Sequence, residues 1–292
     1  MEREIWSLLV RAVRAASRGR RERERKFSDM VIVLTFLWAV LHDRAVSWAV
    51  EPRNWPFYLR IKERPSSSTM SRRLRSASVL DLLRRLECRL STQPDAGRVL
   101  IIDAKPLPVG GYTHDRDARS GRGCGCFQKG YKLCLVIDES SGVHAWKVES
   151  MNVAEQRVAE ELIPRAAISA GRGRYVVGDK AYCSATLYAL AAEWGLQLVA
   201  PRFQRGDGIG PNNHPHAHAA AAMLEGRGTR LGRALMNKRD CIERFLGTAT
   251  ARGGGLNPLP GHVRGHRRVS RWVQAKLLIE AIRIRLRNRN AA

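Results

Sequence analysis

Two aspartates follow apolar, β-branched runs in this sequence, and a glutamate lies in a later helical pattern. Asp103 follows Val99–Ile102, and Asp179 follows Tyr175–Gly178. Such runs are typical of buried strands, so each aspartate is expected where a strand ends at the sheet edge. The glutamate is Glu243. A single Asp at a strand end is commonly a turn or cap residue, so a chemical role depends on the three acids meeting.

Two Asp and one Glu that met in the fold would suit a pair of divalent cations. Carboxylate oxygens bind Mg²⁺ or Mn²⁺ and leave coordination positions for water and phosphate oxygens. Two such ions about 3.5–4 Å apart can activate an attacking oxygen and stabilise a leaving oxygen in phosphoryl transfer. The alternative is that the three acids are unrelated caps and surface charges.

The charge balance indicates a polyanionic partner. The 292 residues include 51 Lys and Arg against 27 Asp and Glu, which gives a formal net charge of +24. An excess spread along the whole chain favours nucleic acid over an anionic membrane surface. The apolar run Met30–Leu41 is too short to span a bilayer and predicts a buried helix.

The start of the chain and its cysteines predict a cytoplasmic, nucleoid-associated protein. The first 27 residues are charged throughout and contain no apolar region of the kind found in a secretory signal. The six cysteines have no framework spacing, so reduced thiols are expected. Residues 1–26 predict a charged helix that forms a solvated or DNA-facing arm.

A pair of short helices is predicted before the first strand. Pro65–Thr69 supplies turn and N-cap residues for a first helix, and Ser78–Leu90 has apolar residues at helical spacing. Two helices joined by a polar turn fit a helix-turn-helix-like unit, in which Arg72, Arg73 and Arg75 would contact DNA phosphates. The alternative is a solvated basic helix within a bundle.

A polar segment with Pro and Gly, Ser91–Gly97, predicts the boundary between two domains. We expect a helical DNA-binding region over residues 1–94 and an α/β catalytic domain over 95–292. A loop excursion is predicted over 201–228. The other predicted elements are strands at 99–102, 131–137, 142–148, 175–178 and 197–200, and helices at 155–170, 186–194, 231–245 and 270–287.

Several segments together resemble a known family. They are Ile101-Ile-Asp103-Ala-Lys-Pro-Leu-Pro-Val109, Gly130-Tyr-Lys132, Val177-Gly-Asp179-Lys-Ala-Tyr182, Arg239-Asp-Cys-Ile-Glu243-Arg-Phe245, Pro65–Leu74 and Trp272–Lys276. In order and spacing they are similar to segments of the DDE transposases of bacterial insertion sequences. The resemblance covers most of the chain from Ser28 onward.

The resemblance implies both a fold and a site. The fold would be RNase H-like, a mixed five-stranded sheet flanked by helices, preceded by a small all-helical DNA-binding module. Asp103, Asp179 and Glu243 would be the catalytic residues and would hold two Mg²⁺ or Mn²⁺ ions. Lys105 and Lys132 would contact DNA, or would only flank strands.

Arg239 matches the arginine that precedes the catalytic Glu in the family signature. It is expected to contact DNA, although pairing with Glu243 at the i, i+4 spacing is an equal alternative. The chain departs from the signature at both ends, because Met236 stands where a Tyr is expected and Thr250 where a Lys is expected.

The implied activity is metal-dependent transposition. The protein would recognise terminal inverted repeats, hydrolyse a phosphodiester to free a 3′-OH, and join that end to target DNA, with a homodimer expected in the DNA complex. One alternative is an RNase H-like nuclease or resolvase that cuts without joining. Another is a DNA-binding remnant whose catalysis has lapsed, which Met236 and Thr250 would explain.

Overall fold

The computed structural model describes most of the chain, in a series of segments. They are residues 2–19, 25–56, 63–91, 99–110, 113–123, 125–171, 174–202, 213–251, 256 and 258–291. The predicted domain boundary at 91–97 falls almost entirely outside these residues, so the division into 1–94 and 95–292 stays a prediction. In the segments described, none of the helices combines the length and apolar character needed to cross a bilayer.

The N-terminal part is helical, as the sequence predicts. The helices are α1 (Glu2–Ser17), α2 (Asp29–Leu41), α3 (Val46–Ala49), α4 (Ser67–Arg73) and α5 (Ala77–Ser91). Helix α2 is apolar on every side and is buried over nearly all its length. The Ser28 hydroxyl caps it by accepting a hydrogen bond from the Val31 N–H at 3.3 Å.

Helix α1 is not a solvated arm, so that expectation is wrong. Its apolar residues recur at helical spacing and bury one face against α2 and α5, with Leu9 and Val13 fully buried. Trp6 meets Trp38 edge-on with ring centroids 5.0 Å apart. The charged residues that dominate the composition of this segment occupy the other face, which conceals the apolar stripe in a simple count. Residues 20–24 of the predicted arm lie outside the described segments.

The second part of the chain forms a mixed sheet. Its strands are β1 (Val99–Pro108), β2 (Arg119–Gly123), β3 (Cys126–Asp138), β4 (Val143–Ser150), β5 (Tyr175–Val177) and β6 (Gln197–Val199). Their order is β4-β3-β1-β5-β6, with β2 beside the start of β3 on the same edge as β4. The first three are antiparallel, whereas β5 and β6 run parallel to β1. Five strand positions in this order confirm the predicted RNase H-like mixed sheet.

Strand β1 continues beyond Asp103, where the sequence predicted its end. It runs to Pro108, which pairs with Gly130 of β3. Strand β5 ends at Val177 and does not reach the second half of β1, where the Leu259 N–H donates to the Pro108 carbonyl at 3.1 Å. Proline lacks an N–H, and it is tolerated in a strand where no neighbour requires that donor. The two prolines therefore do not end the strand, and Asp103 lies in its middle.

The sheet is covered on both faces. The helices after β4 are α6 (Glu155–Ala170), α7 (Ala185–Glu193), α8 (Pro215–Leu224), α9 (Arg230–Asn237), α10 (Arg239–Ala251) and α11 (His266–Ala291). Helices α6 and α7 bury one face in a cluster that includes Leu100, Ile102 and Val176. Residues such as Ile101 and Val177 face the other cluster, which also contains the N-terminal helices, α10 and α11.

The predicted loop at 201–228 contains a helix, so the prediction is wrong for residues 215–224. Pro215 occupies the first turn of α8, where a missing N–H costs nothing, and His214 caps it through the His216 N–H at 3.2 Å. The alanines that follow are strong helix formers. Residues 203–212 lie outside the described segments.

Helix α11 joins the N-terminal helices to the sheet. It packs against α1, α2 and α5 on one side and against β4 on the other. A polar contact reinforces this junction, because Glu87 of α5 accepts hydrogen bonds from Trp146 Nε1 at 2.6 Å and from Gln274 Nε2 at 2.7 Å. One glutamate thus ties together α5, β4 and α11.

Glu87→Ala should lower the free energy of unfolding of the whole protein by about 1–3 kcal/mol, because it leaves two partly buried donors without an acceptor. Urea unfolding measures this as a lower midpoint at unchanged slope. Glu160→Ala, at an exposed position of α6, is the matched control and should change the midpoint little. Equal midpoints for the two variants would contradict the role given to Glu87.

Candidate active site

The structure brings Asp103 and Asp179 near each other. In the parallel pairing of β1 with β5, Ile101 lies opposite Val177. Two residues further along each chain are Asp103 and Asp179. Adjacent strands lie about 4.8 Å apart. Asp103 lies within β1, whereas Asp179 lies just past the end of β5, and the charge of Asp179 acts on Asp103, so the two carboxylates lie near each other.

Each aspartate is fixed by one short hydrogen bond. Asp103 Oδ1 accepts from the Ala104 N–H at 2.8 Å, and Asp179 Oδ1 accepts from the Ala181 N–H at 2.8 Å. The second bond makes Asp179 the cap of a 3-10 turn over Lys180–Tyr182. Within the described segments, the other oxygen of each carboxylate receives no hydrogen bond. One oxygen of each residue is thus held in place and the other is available to a ligand.

Gly178 and Tyr182 explain the Gly-Asp-Lys-Ala-Tyr spacing. A Cβ on Gly178 would lie 2.7 Å from Tyr182 Cδ2 and 3.1 Å from Ile102 Cγ2, which is too close for either contact. The buried Tyr182 ring therefore packs directly over the backbone that carries Asp179. Glycine is required here because the aromatic ring occupies the space of a side chain.

The pKa of Asp103 is raised to about 6, chiefly by burial and to a smaller extent by the nearby charges of Asp179 and Glu155. The Ala104 N–H and the positive charge of Arg239 act in the opposite direction. Two carboxylates that approach each other in a poorly solvated place disfavour double ionisation. A divalent cation would relieve that repulsion, and the two free oxygens supply donors of the type that Mg²⁺ prefers. These residues therefore fit a magnesium site.

Arg239 lies between the aspartates and Glu243. It begins α10, its charge acts on Asp103, and its Nη2 lies 3.7 Å from Glu243 Oε1 one helical turn later. The i, i+4 contact that the sequence allowed is thus present, at a separation too long for a hydrogen bond. The Arg239 Nε is buried without a hydrogen-bond partner in the described segments.

Glu243 lies one helical turn beyond Arg239 on α10 and is not grouped with the two aspartates. Its side chain is 59% exposed and extends from the same side of α10 as Arg239. Among the described residues, no three His, Cys, Asp or Glu side chains are grouped closely enough to hold a metal ion. The catalytic and metal-binding roles of Asp103, Asp179 and Glu243 remain predictions.

Glu155 is a fourth acid near the site that the sequence did not single out. It is the first residue of α6, and its Oε1 lies 3.0 Å from Lys132 Nζ. The Lys132 side chain is buried and donates a second, long hydrogen bond to the Val153 carbonyl at 3.4 Å. An acidic residue in the first turn of a helix is common, so the sequence offered no signal that distinguished Glu155.

The basic residues predicted to contact DNA differ in their exposure and in the partners that the fold already gives them. Arg72 is exposed, whereas Arg73 donates to Asp29 Oδ1 at 2.6 Å and to the Phe27 carbonyl at 2.9 Å. The guanidinium of Arg73 thus ties α4 to the start of α2. Arg75 is exposed and Lys105 is half-buried. Their DNA contacts, and those of Lys132 and Arg239, stay predictions.

The two departures from the family signature have local roles. Met236 packs against the apolar cluster beneath α9 and α10. The Thr250 hydroxyl donates to the Leu246 carbonyl at 2.8 Å within α10. Both side chains are accommodated in the fold without strain, and neither carries a charge for DNA.

Asp103→Asn should stabilise the metal-free protein at pH 8 by up to about 3 kcal/mol, and the gain should vanish near pH 4. The folded-state pKa of about 6 lies above the unfolded value of 3.8, so wild-type stability falls as pH rises between these values. The amide carries no charge and avoids that loss. Urea unfolding in EDTA at the two pH values measures the difference.

Asp240→Asn, at an exposed position of α10, is the control for removing a carboxylate. Added Mg²⁺ should reverse the ranking at pH 8 by stabilising the wild-type protein more than Asp103→Asn, since only the former keeps both carboxylates. A stability gain of equal size at pH 4 and pH 8 would contradict the raised pKa.

Comparison with known proteins gives one match. The model of the Transposase DDE domain family matches residues 94–279, which are well over half of the chain. That stretch contains all six strands and the residues Asp103, Asp179 and Glu243. A search of curated proteins gives no match. The chain therefore belongs to the Transposase DDE domain family, whose members are enzymes of phosphoryl transfer on DNA.

Proposed function

We propose that this protein is an active transposase that cleaves DNA at the ends of an insertion sequence and joins those ends to target DNA. The observation that carries the proposal is the proximity of Asp103 in β1 to Asp179 just past the end of β5, inside the matched family domain. Two acids separated by 76 positions in sequence meet there with one free oxygen each.

In the proposed mechanism, Asp103 and Asp179 hold the divalent ions and fix their positions relative to the DNA. Bound ions supply activation of the attacking oxygen and stabilisation of the leaving oxygen. Asp103 is held by Ala104 and Asp179 by Ala181, so both carboxylates are oriented before the DNA arrives. That orientation lowers the entropic cost of reaching the reactive geometry.

Glu243 is proposed as the third acid of the site. Arg239 is proposed to move away from Asp103 when DNA binds, so that Glu243 can take its position. In the structure the Arg239 charge acts on Asp103, while Glu243 extends toward solvent. A DNA phosphate offers Arg239 a stronger, bidentate partner than a carboxylate 3.7 Å away. Once Arg239 moves to the phosphate, Glu243 can turn toward the two aspartates from the same side of α10.

The reaction is proposed in two phosphoryl transfers. Water attacks the phosphorus at the element end, the bond from phosphorus to the 3′ oxygen breaks, and the leaving oxygen is released as a 3′-OH. That hydroxyl then attacks a target phosphodiester, forming a new bond from phosphorus to the 3′ oxygen as the target strand breaks. No external energy source is needed, because the joining step exchanges one phosphodiester for another.

A DNA-binding remnant without catalysis is the second candidate, and a specific observation favours it. Met236 and Thr250 replace a Tyr and a Lys of the family signature and offer no charge to DNA. A nuclease or resolvase that cuts without joining would be a third. Incubation of labelled element ends with Mg²⁺ and target DNA separates the three, because only a transposase yields joined products.

Glu243→Gln should lower strand cleavage by about 100-fold or more while leaving binding to element ends nearly unchanged, since the amide keeps the shape of the side chain but cannot neutralise a cation. Single-turnover cleavage with Mg²⁺ and a gel-shift assay measure the two properties. Asp240→Asn, one turn earlier on the exposed side of α10, is the matched control and should cleave like the wild type. Cleavage retained by Glu243→Gln would exclude the residue from the site.

A further inference from the structure

A cavity of about 250 Å³ lies where the N-terminal helices meet the start of α11. Its floor is apolar, and its polar lining consists of His262 together with three arginines and three serines. These are Arg75, Arg268, Arg271, Ser47, Ser67 and Ser71. Arg75 belongs to the N-terminal helices, whereas Arg268 and Arg271 belong to the helix that closes the chain. The cavity therefore exists only when both ends of the sequence are folded together.

The three guanidinium groups face one another without a counter-charge. Within the described segments, none of the three forms an ion pair with a carboxylate. Burial lowers the pKa of Arg271, and the positive charges of Arg268, Arg75 and Arg267 lower it further. Like charges held together in a partly desolvated place raise the free energy of the folded protein. An anion in the cavity would remove that cost.

Each arginine is anchored by one N–H and keeps others for a ligand. Arg271 Nη1 donates to the Leu74 carbonyl at 2.6 Å, Arg75 Nε to the Ser71 carbonyl at 3.0 Å, and Arg268 Nη1 to the His262 carbonyl at 3.2 Å. The three serine hydroxyls make no hydrogen bond within the described segments. A guanidinium fork matches two oxygens of a phosphate, and hydroxyls can donate to the third.

We propose that this cavity, which we call the arginine cavity, binds a backbone phosphate of DNA. The proposal rests on the proposed function in taking DNA as the partner. A second basic concavity on the other side of α4, lined by Arg25, Lys26 and Arg72, supports a strand over a single free anion. Helix α4 lies between the two concavities, so two phosphates of one strand that are not adjacent can occupy both.

The location of the arginine cavity would allow it to position the DNA strand as well as to bind it. Since α11 also packs against β4 and α10, a phosphate bound by Arg268 and Arg271 is held by an element of the catalytic unit. The same phosphate is held by Arg75 of the helical part. DNA in the cavity would therefore fix the two parts against each other and set the position of the strand relative to Asp103.

The test compares two double variants of the full chain that remove the same charge. The cavity variant carries Arg75→Ala and Arg268→Ala, which remove two exposed guanidinium groups from the arginine cavity. The α6 variant carries Arg157→Ala and Arg165→Ala, which remove two exposed arginines on the far face of the sheet. Fluorescence anisotropy with a short mixed-sequence duplex gives the dissociation constant at several salt concentrations.

The cavity variant should bind about tenfold or more weakly at low salt, because it loses the charge-assisted hydrogen bonds of two guanidinium groups to the phosphate. The slope of log affinity against log salt should fall in magnitude by about 1–2, as expected for one or two lost phosphate contacts. The α6 variant should change both quantities far less. Arg75→Lys with Arg268→Lys should recover most of the slope but less of the affinity, because lysine lacks the fork.

Three outcomes would overturn the proposal. Equal weakening by both Ala pairs would show an effect of net charge alone. Unchanged DNA affinity would show that no strand enters the arginine cavity. Inorganic phosphate that raises the melting temperature of the wild type but not of the cavity variant, without a difference in DNA affinity, would assign the cavity to a free anion.

Cleavage with Mg²⁺ at saturating DNA keeps this proposal separate from the proposed function. A cavity variant that binds weakly, and that cleaves more slowly than the wild type even when saturated, supports both, because the bound phosphate also positions the strand. A wild-type protein that does not cleave, together with the predicted loss of affinity in the cavity variant, supports the DNA site and contradicts only the transposase activity. The melting temperature of the cavity variant should equal or exceed that of the wild type, since its substitutions relieve repulsion.

Discussion

The register of two parallel strands determines where the chemistry of this protein can take place. Ile101 faces Val177 across β1 and β5, and this pairing is fixed because both residues are buried in the same apolar cluster. A slip by one residue would move each of them to the opposite face, which carries a different set of packing partners. The same pairing brings Asp103 near Asp179, so the apolar core and the acidic pair are specified by one arrangement of hydrogen bonds. Packing of the Tyr182 ring over Gly178 then holds the second carboxylate at the end of its strand.

The sequence was informative where a residue's surroundings are local. The runs before Asp103 and Asp179 predicted strands because buried strands need no polar alternation, and five strand positions with their flanking helices are present. Predictions from the sequence were wrong where tertiary contacts determine the local structure. Pro106 suggested the end of β1, yet β5 ends before reaching it, so the strand can continue. The charges of α1 concealed its apolar stripe, and Arg73 is engaged by Asp29, which lies 44 positions away. Glu155 lies near Asp103 although it belongs to a separate helix, and no residue spacing in the sequence predicts this proximity.

Positive charge has two distinct functions in this molecule. Arg239 and Lys132 each lie among acids near the paired aspartates, where they offset negative charge in the absence of a bound cation. Among the described residues, no carboxylate pairs with Arg268 or Arg271 at the start of α11, and these arginines repel one another. Acids within the fold balance the first group, whereas the DNA phosphate proposed for the arginine cavity would balance the second. The basic residues behind the net charge of +24 are therefore not equivalent, because they differ in whether acids within the fold already balance their charge.

The packing of α11 also bears on how the chain is made. The N-terminal helices leave the ribosome before α11, the partner that covers them, has been synthesised. Until that helix arrives, apolar side chains such as Leu9, Leu37 and Leu86 have only part of their final surroundings. Contacts between residues so far apart in sequence slow folding, and they leave apolar surface exposed to solvent for longer. The nascent protein is consequently vulnerable to aggregation until α11 has been synthesised and has packed against the N-terminal helices.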